Sequence, residues 1–323
     1  MKTLVLAYGT GDAVSTAFRY GAIQNLWADQ GHKLEVLSVR GLREDFWRRI
    51  AEYDTIINQK ALLPCGFARR LFAAGRPVFF EFDDAIWTRP HRPYSWWTQW
   101  RIDRRIGRWM RGARGVIAAN NHLAAFARRH NPRVWVLPMG LDLNVWQPAP
   151  KPRGSEVVLG WLGSAGNVWH LERIREPLRQ ILYANPNARL KVCCPPPRFD
   201  FPFERVPFVP GKEHEFVAGL DIGLLPMHVE PYSLGKSPTK ALQYLSCAVP
   251  VVGNVHGATA EYLNPQNSIA VETEEEWVAV LQRLIDHPGE RLRLGRAGRQ
   301  HVERHFDLRQ VSGQLLRLLM DGQ

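Results

Sequence analysis

Two lysines flank a potential helix start in the second half of the chain. Lys236 stands directly before Ser237 and Pro238, and Lys240 falls in the first turn of the helix that these residues would begin. Serine is a common N-cap, and proline fits the first helical position because it has no N–H to leave unpaired. The unpaired N–H groups and the positive end of the helix dipole attract phosphate at such a position. The pattern therefore predicts an anion-binding site at this helix start, to which Lys236 adds a full positive charge.

Two other groups of polar or small residues follow runs that are typical of strands. Asp83 and Asp84 come directly after the apolar run 77–82, and Gly163 and Ser164 follow another such run. In open parallel α/β sheets, ligands bind beyond the carboxyl ends of the strands. The two carboxylates are therefore predicted to take part in a ligand site, the alternative being that they cap a short helix. The glycine and serine allow the backbone to approach a ligand closely.

Alternating strand and helix patterns predict an α/β fold with parallel sheets. The predicted strands lie at 4–7, 34–39, 54–58, 77–82, 115–119, 134–138, 157–162, 190–192, 206–209, 222–225 and 249–252. The predicted helices include 15–30, 95–113, 122–130, 170–183 and 237–247, and a helical tail reaches residue 320. The glycine turn 9–12 departs from the G-x-G-x-x-G fingerprint of dinucleotide-binding proteins. Gly11 is therefore interpreted as part of a tight turn beside a ligand cleft.

The segment 147–154 is rich in proline and has no apolar periodicity, which is typical of a linker. A chain of 323 residues is long enough for two domains. We predict a first domain at 1–145 and a second at 146–323, with the helical tail packing back on the first domain.

The composition is that of a globular protein without a membrane span. No apolar run approaches the ~18 residues that a spanning helix needs. Residues 1–9 are typical of a first strand rather than of a signal peptide, so we expect a cytoplasmic protein. The four cysteines show no metal-ligand spacing, and no metal site is predicted.

The formal net charge of +11 is confined to the first part of the chain. Residues 1–140 carry 22 Lys and Arg against 11 Asp and Glu, whereas residues 141–323 carry 20 of each kind. A concentrated positive charge of this size favours an anionic partner. The candidates are a membrane surface, a phosphorylated acceptor and nucleic acid.

The most basic part of that region is the predicted helix 95–113, which combines tryptophans such as Trp96 with arginines such as Arg101. Helical spacing places its apolar residues on one side and its arginines on the other. Three interpretations stay open: the helix lies on anionic lipid, it holds nucleic-acid phosphates, or it packs on the sheet with a solvated basic side.

The sequence resembles the GT-B glycosyltransferases, in particular one branch of the retaining enzymes of family 4. The resemblance covers most of residues 157–306 specifically and residues 1–140 more loosely. The segments that carry it are 82–86, 160–164, 221–226, 235–236, 240–245, 249–252, 276–277 and 294–299.

This resemblance implies a GT-B fold, in which two Rossmann-like domains with parallel sheets face each other across a cleft. It implies a sugar transferase whose C-terminal domain holds a nucleotide-diphosphate sugar, UDP or GDP being undetermined, and whose N-terminal domain holds the acceptor. No further cofactor is implied. The charge of the first domain fits an anionic or lipid-linked acceptor, at or near the inner face of a membrane. A nucleic-acid-binding protein, or a glycosyltransferase acting on nucleic acid, is the alternative.

The resemblance also suggests roles for individual residues. Asp83, Asp84 and Lys236 would be catalytic. The donor would be bound by Gly163, Ser164, Lys236, Ser237, Lys240 and Gln243, and the acceptor side would include Gly11, Arg19, Trp96 and Arg101. Family 4 commonly carries two glutamates eight positions apart, which correspond here to Gly235 and Gln243. Neither is an acid, although the amide of Gln243 can still hydrogen-bond a ribose hydroxyl.

Overall fold

Twelve strands build two parallel sheets in the part of the chain that the computed structural model describes, which is residues 1–8, 16–42, 45–90, 92–150, 156–193 and 196–322. The first sheet has the order β2-β1-β3-β4-β5-β6 and the second the order β12-β11-β10-β7-β8-β9. The strands are β1 Lys2–Ala7, β2 Lys33–Ser38, β3 Thr55–Gln59, β4 Val78–Phe82, β5 Gly115–Ala118, β6 Val134–Val136, β7 Val157–Leu162, β8 Ala188–Cys193, β9 Glu204–Val206, β10 Ile222–Leu225, β11 Val251–Gly253 and β12 Ser268–Ala270. The expected class of fold, two Rossmann-like parallel sheets, is thereby confirmed.

Helices connect most of the successive strands, as is usual for parallel pairing. They are α1 Ala22–Ala28, α2 Phe46–Arg49, α3 Cys65–Phe72, α4 Trp96–Gly112, α5 Asn121–Ala127, α6 Val168–Glu172, α7 Arg175–Ala184, α8 Glu213–Ala218, α9 Pro231–Leu234, α10 Thr239–Ser246, α11 Glu274–Asp286, α12 Pro288–His305 and α13 Leu308–Asp321. Two predicted helices are divided. A π-helical turn at Ala17–Gly21 precedes α1, and the predicted helix 170–183 is split into α6 and α7. No helix in the described ranges is long and apolar enough to cross a membrane.

The chain forms two compact units. Unit 1 consists of Met1–Gly140, Glu230–Ser237 and Leu308–Gln323, and unit 2 of Leu141–Val229 and Pro238–Asp307. Unit 1 therefore contains the first sheet together with the last helix, α13. The Trp27 indole donates a hydrogen bond of 2.9 Å to Ser312 Oγ, which joins α13 to α1 inside this unit.

The central strands of unit 1 are buried on both faces, which explains their nearly continuous apolar sequences. One face of the sheet packs Leu4, Ile56 and Phe80 against α3 and α4, while the other packs Val5 and Phe79 against α1 and α13. This alternation follows from the two-residue period of a strand.

Unit 2 likewise has a central strand that is buried on both faces. All six residues of β7 are buried, and Leu159 and Trp161 belong to the main apolar cluster of this unit. The predicted linker 147–154 is described only up to residue 150, and residues 147–150 are exposed and belong to no regular element.

Candidate active site

Three charged side chains meet where β3 and β4 end. Lys60 is the first residue after β3, and Asp83 and Asp84 are the first residues after β4, the neighbouring parallel strand. The Lys60 ammonium nitrogen lies 2.6 Å from Asp83 Oδ1 and 2.9 Å from Asp84 Oδ2. The two carboxylates therefore share one lysine instead of capping a helix. The cluster lies at the carboxyl end of a parallel sheet, where ligands bind in this kind of fold.

The backbone conformation of Lys60 directs its side chain toward the carboxylates of Asp83 and Asp84. Its φ of +44° lies in the left-handed region, which costs a non-glycine residue roughly 1–2 kcal/mol. The Lys60 N–H still donates a hydrogen bond of 2.7 Å to the carbonyl of Glu81. The strain therefore occurs at the residue that directs its side chain across the strand ends.

Burial and charge together set the ionisation of the cluster. Burial and the negative charge of Asp84 raise the pKa of Asp83, and the Lys60 ammonium opposes this rise. Burial would lower the pKa of Lys60, but the two carboxylates outweigh that effect and raise the pKa above its usual value. Lys60 is therefore protonated at neutral pH.

The segment Glu230–Ser237 belongs to unit 1 and brings Tyr232 and Lys236 to the same sheet edge. The Tyr232 hydroxyl donates a hydrogen bond of 3.4 Å to Asp84 Oδ1. The Lys236 ammonium lies 5.8 Å from the centre of the Tyr232 ring. Burial lowers the pKa of Lys236, while the charges of Asp84 and Glu230 act in the opposite direction.

Backbone contacts hold this segment in place. The Asn120 amide donates a hydrogen bond of 3.0 Å to the Gly235 carbonyl, and the Ser237 N–H donates one of 3.4 Å to the Asp83 carbonyl. A Cβ atom at Gly235 would lie 2.8 Å from Leu123 Cδ2. Position 235 therefore has no room for a glutamate side chain unless its neighbours move.

The residues expected on the acceptor side lie in different environments. Arg19 is 3% exposed, its Nε lies 3.3 Å from Oε1 of the fully buried Glu81, and its guanidinium donates to the carbonyls of Leu137 and Pro138. Arg19 is therefore an interior residue of unit 1 and not a surface one. Trp96 and Arg101 are exposed on α4. Gly11 lies outside the described residues.

The buried carboxyl of Glu81 has an unusual ionisation. Burial raises the pKa of Glu81 to about 7, although the guanidinium of Arg19 opposes the rise. Burial likewise raises the pKa of the neighbouring Tyr20, and the charge of Glu81 adds to that effect.

Most of the expected donor-binding residues lie in unit 2, around the end of β7. A Cβ atom at Gly163 would lie 2.3 Å from the Trp161 ring, so glycine is needed for this close turn. The Lys240 ammonium lies 4.1 Å from the centre of the same ring, which is a cation–π contact. Gln243 is only 5% exposed, and its side-chain amide makes no hydrogen bond within the described part of the chain. Ser164 is exposed in the turn that follows Gly163.

A buried hydroxyl holds α10 against β7. Tyr244 lies one residue after Gln243, and its hydroxyl accepts a hydrogen bond of 3.0 Å from the Leu162 N–H. This contact holds the residues next to Gly163 and Gln243 together.

The prediction that Ser237 caps this helix and that Pro238 takes its first position is wrong by one residue. Helix α10 begins at Thr239, Pro238 occupies the N-cap position without a side-chain hydrogen bond, and Ser237 Oγ lies 3.5 Å from the Asn120 amide nitrogen instead. The φ of −84° and ψ of 66° at Pro238 are not helical, because the preceding residues are fixed on unit 1. Lys236 and Lys240 consequently belong to different units.

Comparison with known proteins identifies the kind of fold. The chain is similar to Anabaena HepE in complex with UDP and glucose (15% identity, 99% of this chain and 100% of the other, TM-score 0.73). It is also similar to sucrose-phosphate synthase from Thermosynechococcus elongatus (14%, 100% and 99%, 0.73) and to a glycosyltransferase from Rickettsia africae (11%, 99% and 98%, 0.77). The structure therefore has the GT-B fold.

The sequence comparison is more specific for the second half. Residues 172–317 match the family described as glycosyl transferase-like, and this range includes Lys240 and Gln243. The similarity at the level of sequence is thus limited to the C-terminal half. No curated protein matches the chain.

Three residues of the site were not predicted from the sequence. Lys60 follows a predicted strand directly, so the rule that selected Asp83 and Asp84 could have found it. Asn120 also follows a strand, β5, after one residue. Tyr232 carries no sequence signal, because its position depends on the packing of a loop segment against a distant strand end.

Proposed function

We propose that this protein transfers a sugar from a nucleoside-diphosphate donor to an anionic or lipid-linked acceptor, with retention of configuration as in family 4. The observation that carries the proposal is the arrangement at the end of β7. A glycine turn and the Lys240 ammonium above Trp161 lie together there. Gln243 follows on the same helix as Lys240, and within the described residues its buried amide makes no hydrogen bond. HepE and other glycosyltransferases with a similar fold support the assignment, since HepE was solved with UDP and with UDP-glucose.

Each of these residues has its own role in the proposed reaction. The bond between the sugar's anomeric carbon and the diphosphate breaks, a new bond forms to the oxygen of an acceptor hydroxyl, and the hydroxyl proton passes to the leaving diphosphate. Negative charge grows on the leaving diphosphate, and lysine ammonium groups stabilise it. We assign this role to Lys240; the role suggested for Lys236, which belongs to unit 1, stays a prediction. The Gln243 amide hydrogen-bonds the nucleoside ribose, and Gly163 and Ser164 accommodate the diphosphate by close approach of the backbone.

The acceptor belongs to unit 1 in this proposal. Asp83 and Asp84 orient the acceptor hydroxyl, and Lys60 keeps the two carboxylates in place. The positive charge of residues 1–140 favours an acceptor that is itself anionic or is presented on an anionic surface. We therefore place the protein at the cytoplasmic face of a membrane, where anionic lipids are enriched.

Thermal unfolding with nucleotides tests the donor assignment. A ligand that binds only the folded state at 100 times its Kd stabilises that state by about 2.7 kcal/mol. For a domain of this size that corresponds to a rise in Tm of roughly 5–10 °C. We expect such a rise with UDP or GDP, and a loss of most of it in Lys240→Met and in Gln243→Ala.

The control is Lys212→Met, which removes an exposed lysine from the same unit. This variant should keep the full rise in Tm. The donor assignment is refuted if neither UDP, GDP, ADP nor their sugar conjugates change the Tm, or if Lys240→Met and Lys212→Met behave alike.

A further inference from the structure

The outer side of helix α4 carries three exposed tryptophans and four exposed arginines. Trp96 is 78% exposed, Trp97 52% and Trp100 48%. We call this set the Trp-Arg surface; its members are Trp96, Trp97, Trp100, Arg101, Arg104, Arg108 and Arg111. Large exposed aromatic groups of this kind indicate a binding surface more strongly than single exposed apolar residues do.

The tryptophans form one continuous apolar patch at the beginning of the helix. The rings of Trp96 and Trp97 are 5.3 Å apart with an edge-on geometry, and those of Trp97 and Trp100 are stacked at 5.1 Å. The Arg104 guanidinium lies 5.3 Å from the centre of the Trp100 ring. A cation therefore borders the apolar patch directly.

The arginines share the same side of the helix as the tryptophans. At 100° per residue, all seven members fall within an arc of about 140°. Asp103, the single acid of α4, lies outside this arc, and its carboxylate accepts a hydrogen bond of 2.9 Å from Gln99. Among the described residues, none of the four arginines forms an ion pair. Their charge is thus directed outward.

The opposite side of α4 fixes the helix to unit 1. Ile106, Trp109 and Met110 are fully buried, and the Trp109 indole donates a hydrogen bond of 3.1 Å to the Leu63 carbonyl. The Ser95 side chain accepts a hydrogen bond from the Thr98 N–H and caps the first turn. The tryptophans are therefore presented on a rigid element, and the predicted apolar side of this helix is confirmed.

We propose that the Trp-Arg surface docks unit 1 on an anionic lipid surface. Tryptophan prefers the interface between headgroups and hydrocarbon, where its ring is buried and its N–H is hydrated. The arginines that follow along the same side would contact lipid phosphates, as basic residues of interfacial helices do. The negative charge of such a surface complements the excess positive charge of residues 1–140.

The geometry favours lipid over nucleic acid. Proteins that bind single strands use a groove with separated aromatic rings on which successive bases stack. Here the three indoles contact one another, and they stand on the outside of one helix. The orientation of the acceptor toward the membrane rests on the proposed function, whereas lipid binding by α4 does not.

Vesicle binding of the full chain tests the proposal. The probes are phosphatidylcholine vesicles and the same vesicles with 30% phosphatidylglycerol, compared in a sedimentation assay at low and high salt. We expect binding only to the anionic vesicles, with weaker binding at high salt. Trp96→Ala/Trp97→Ala/Trp100→Ala should weaken binding at least tenfold. Each arginine near an anionic surface contributes about fivefold, so Arg101→Gln/Arg104→Gln/Arg108→Gln should weaken it roughly 100-fold.

A matched control changes the same charge elsewhere. The triple variant Arg205→Gln/Arg296→Gln/Arg317→Gln removes three exposed arginines that belong to other elements, and should weaken binding at most by the smaller effect of net charge. The proposal is overturned if the wild-type chain does not bind anionic vesicles at low salt, or if the control triple loses as much affinity as the α4 triple.

Two further readouts separate the alternatives. A labelled single-stranded oligonucleotide that binds tightly at low salt, and loses binding in the tryptophan variant while vesicles do not bind, would assign the surface to nucleic acid and refute the lipid proposal. The tryptophan variant should keep the rise in Tm with nucleotide. If nucleotide has no effect on any variant while vesicle binding follows the expected pattern, the proposed function fails and the lipid surface stands.

Discussion

Replacement of Lys60 by methionine tests whether this lysine is what allows two carboxylates to stand side by side. Methionine keeps most of the apolar stem and the same left-handed backbone requirement, so the variant changes the charge and little else. At an effective dielectric constant of about 20, charges at the observed separations of 2.6 and 2.9 Å attract by about 6 kcal/mol per pair. Desolvation of the ammonium and carboxylates offsets much of this attraction.

The loss of stability expected for Lys60→Met depends on how deeply the three charged side chains are buried. Breaking a buried ion pair destabilises a protein by about 3–5 kcal/mol. The side chains of Lys60, Asp83 and Asp84 are 15%, 11% and 28% exposed, so solvent screens part of the interaction. We expect Lys60→Met to lower the free energy of unfolding by about 2–4 kcal/mol near neutral pH. Lys2→Met, which breaks an exposed pair with Glu52 in the same unit, should cost about 0–1 kcal/mol.

The pH dependence gives the sharper test. Without Lys60, the main charge that opposes Asp84 is removed, and the pKa of Asp83 rises further above its unfolded value. A carboxyl with a raised folded pKa stabilises the folded state below the unfolded pKa, and this contribution is lost as the pH rises through the folded pKa. The cost of Lys60→Met should therefore increase from pH 4.5 to pH 8, and a second substitution, Asp83→Asn, should recover part of it.

Urea unfolding at several pH values measures both quantities. The midpoint should shift to lower urea in Lys60→Met with the slope of the transition unchanged. A cost below 1 kcal/mol at pH 8, or a cost that decreases toward high pH, would refute the assignment of Lys60 as the cation that holds the two carboxylates together.

Three other predictions concern buried groups near the two sheet edges. Because the pKa of Glu81 is raised to about 7, the stability of the folded protein should fall by an amount on the order of 2–3 kcal/mol as the pH rises from about 4.5 to 7. Glu81→Gln should remove this loss, and measurements of Tm against pH test it. Tyr244→Phe leaves a buried N–H at the end of β7 without its acceptor and should cost about 1–3 kcal/mol in urea unfolding, whereas exposed Tyr183→Phe should cost almost nothing. Gly235→Glu should lower stability by about 1–3 kcal/mol through contact with Leu123, and Gly235→Ala by less; equal Tm values for wild type and Gly235→Glu would contradict the packing argument.

The sequence predicted the two-sheet fold well because its strands are short, apolar and buried on both faces. β4 and β7, for example, lie within one residue of their predicted bounds. The start of α10 was placed too early because local rules favour serine and proline at a helix start. In the folded protein, residues 230–237 are held by Asp83, Asp84 and Asn120, which are far away in sequence.

The candidate site could be predicted only in part, because some of its contacts join residues that are far apart in sequence. Asp83 and Asp84 follow a strand, so their position at a sheet edge could be derived from the chain itself. The burial of Arg19 could not, because the helical spacing around Arg19 does not reveal that Glu81 lies opposite it. The family resemblance suggested a contact between Arg19 and the acceptor, while in the structure its guanidinium contacts a buried carboxyl and two carbonyls.

The missing acid at position 235 and the carboxylate beside Lys236 result from one packing arrangement. Residues 230–237 lie so close to Leu123 and Ala85 that position 235 accepts only glycine without displacement of its neighbours. The same closeness lets Tyr232 reach Asp84, whose charge also acts on Lys236. The carboxylate next to this segment therefore comes from the end of β4 and not from the segment. Because Lys60 holds that carboxylate, the charge of the site depends on three strand-end residues of the first sheet, and a glutamate introduced at 235 would disturb the contact without replacing Asp84.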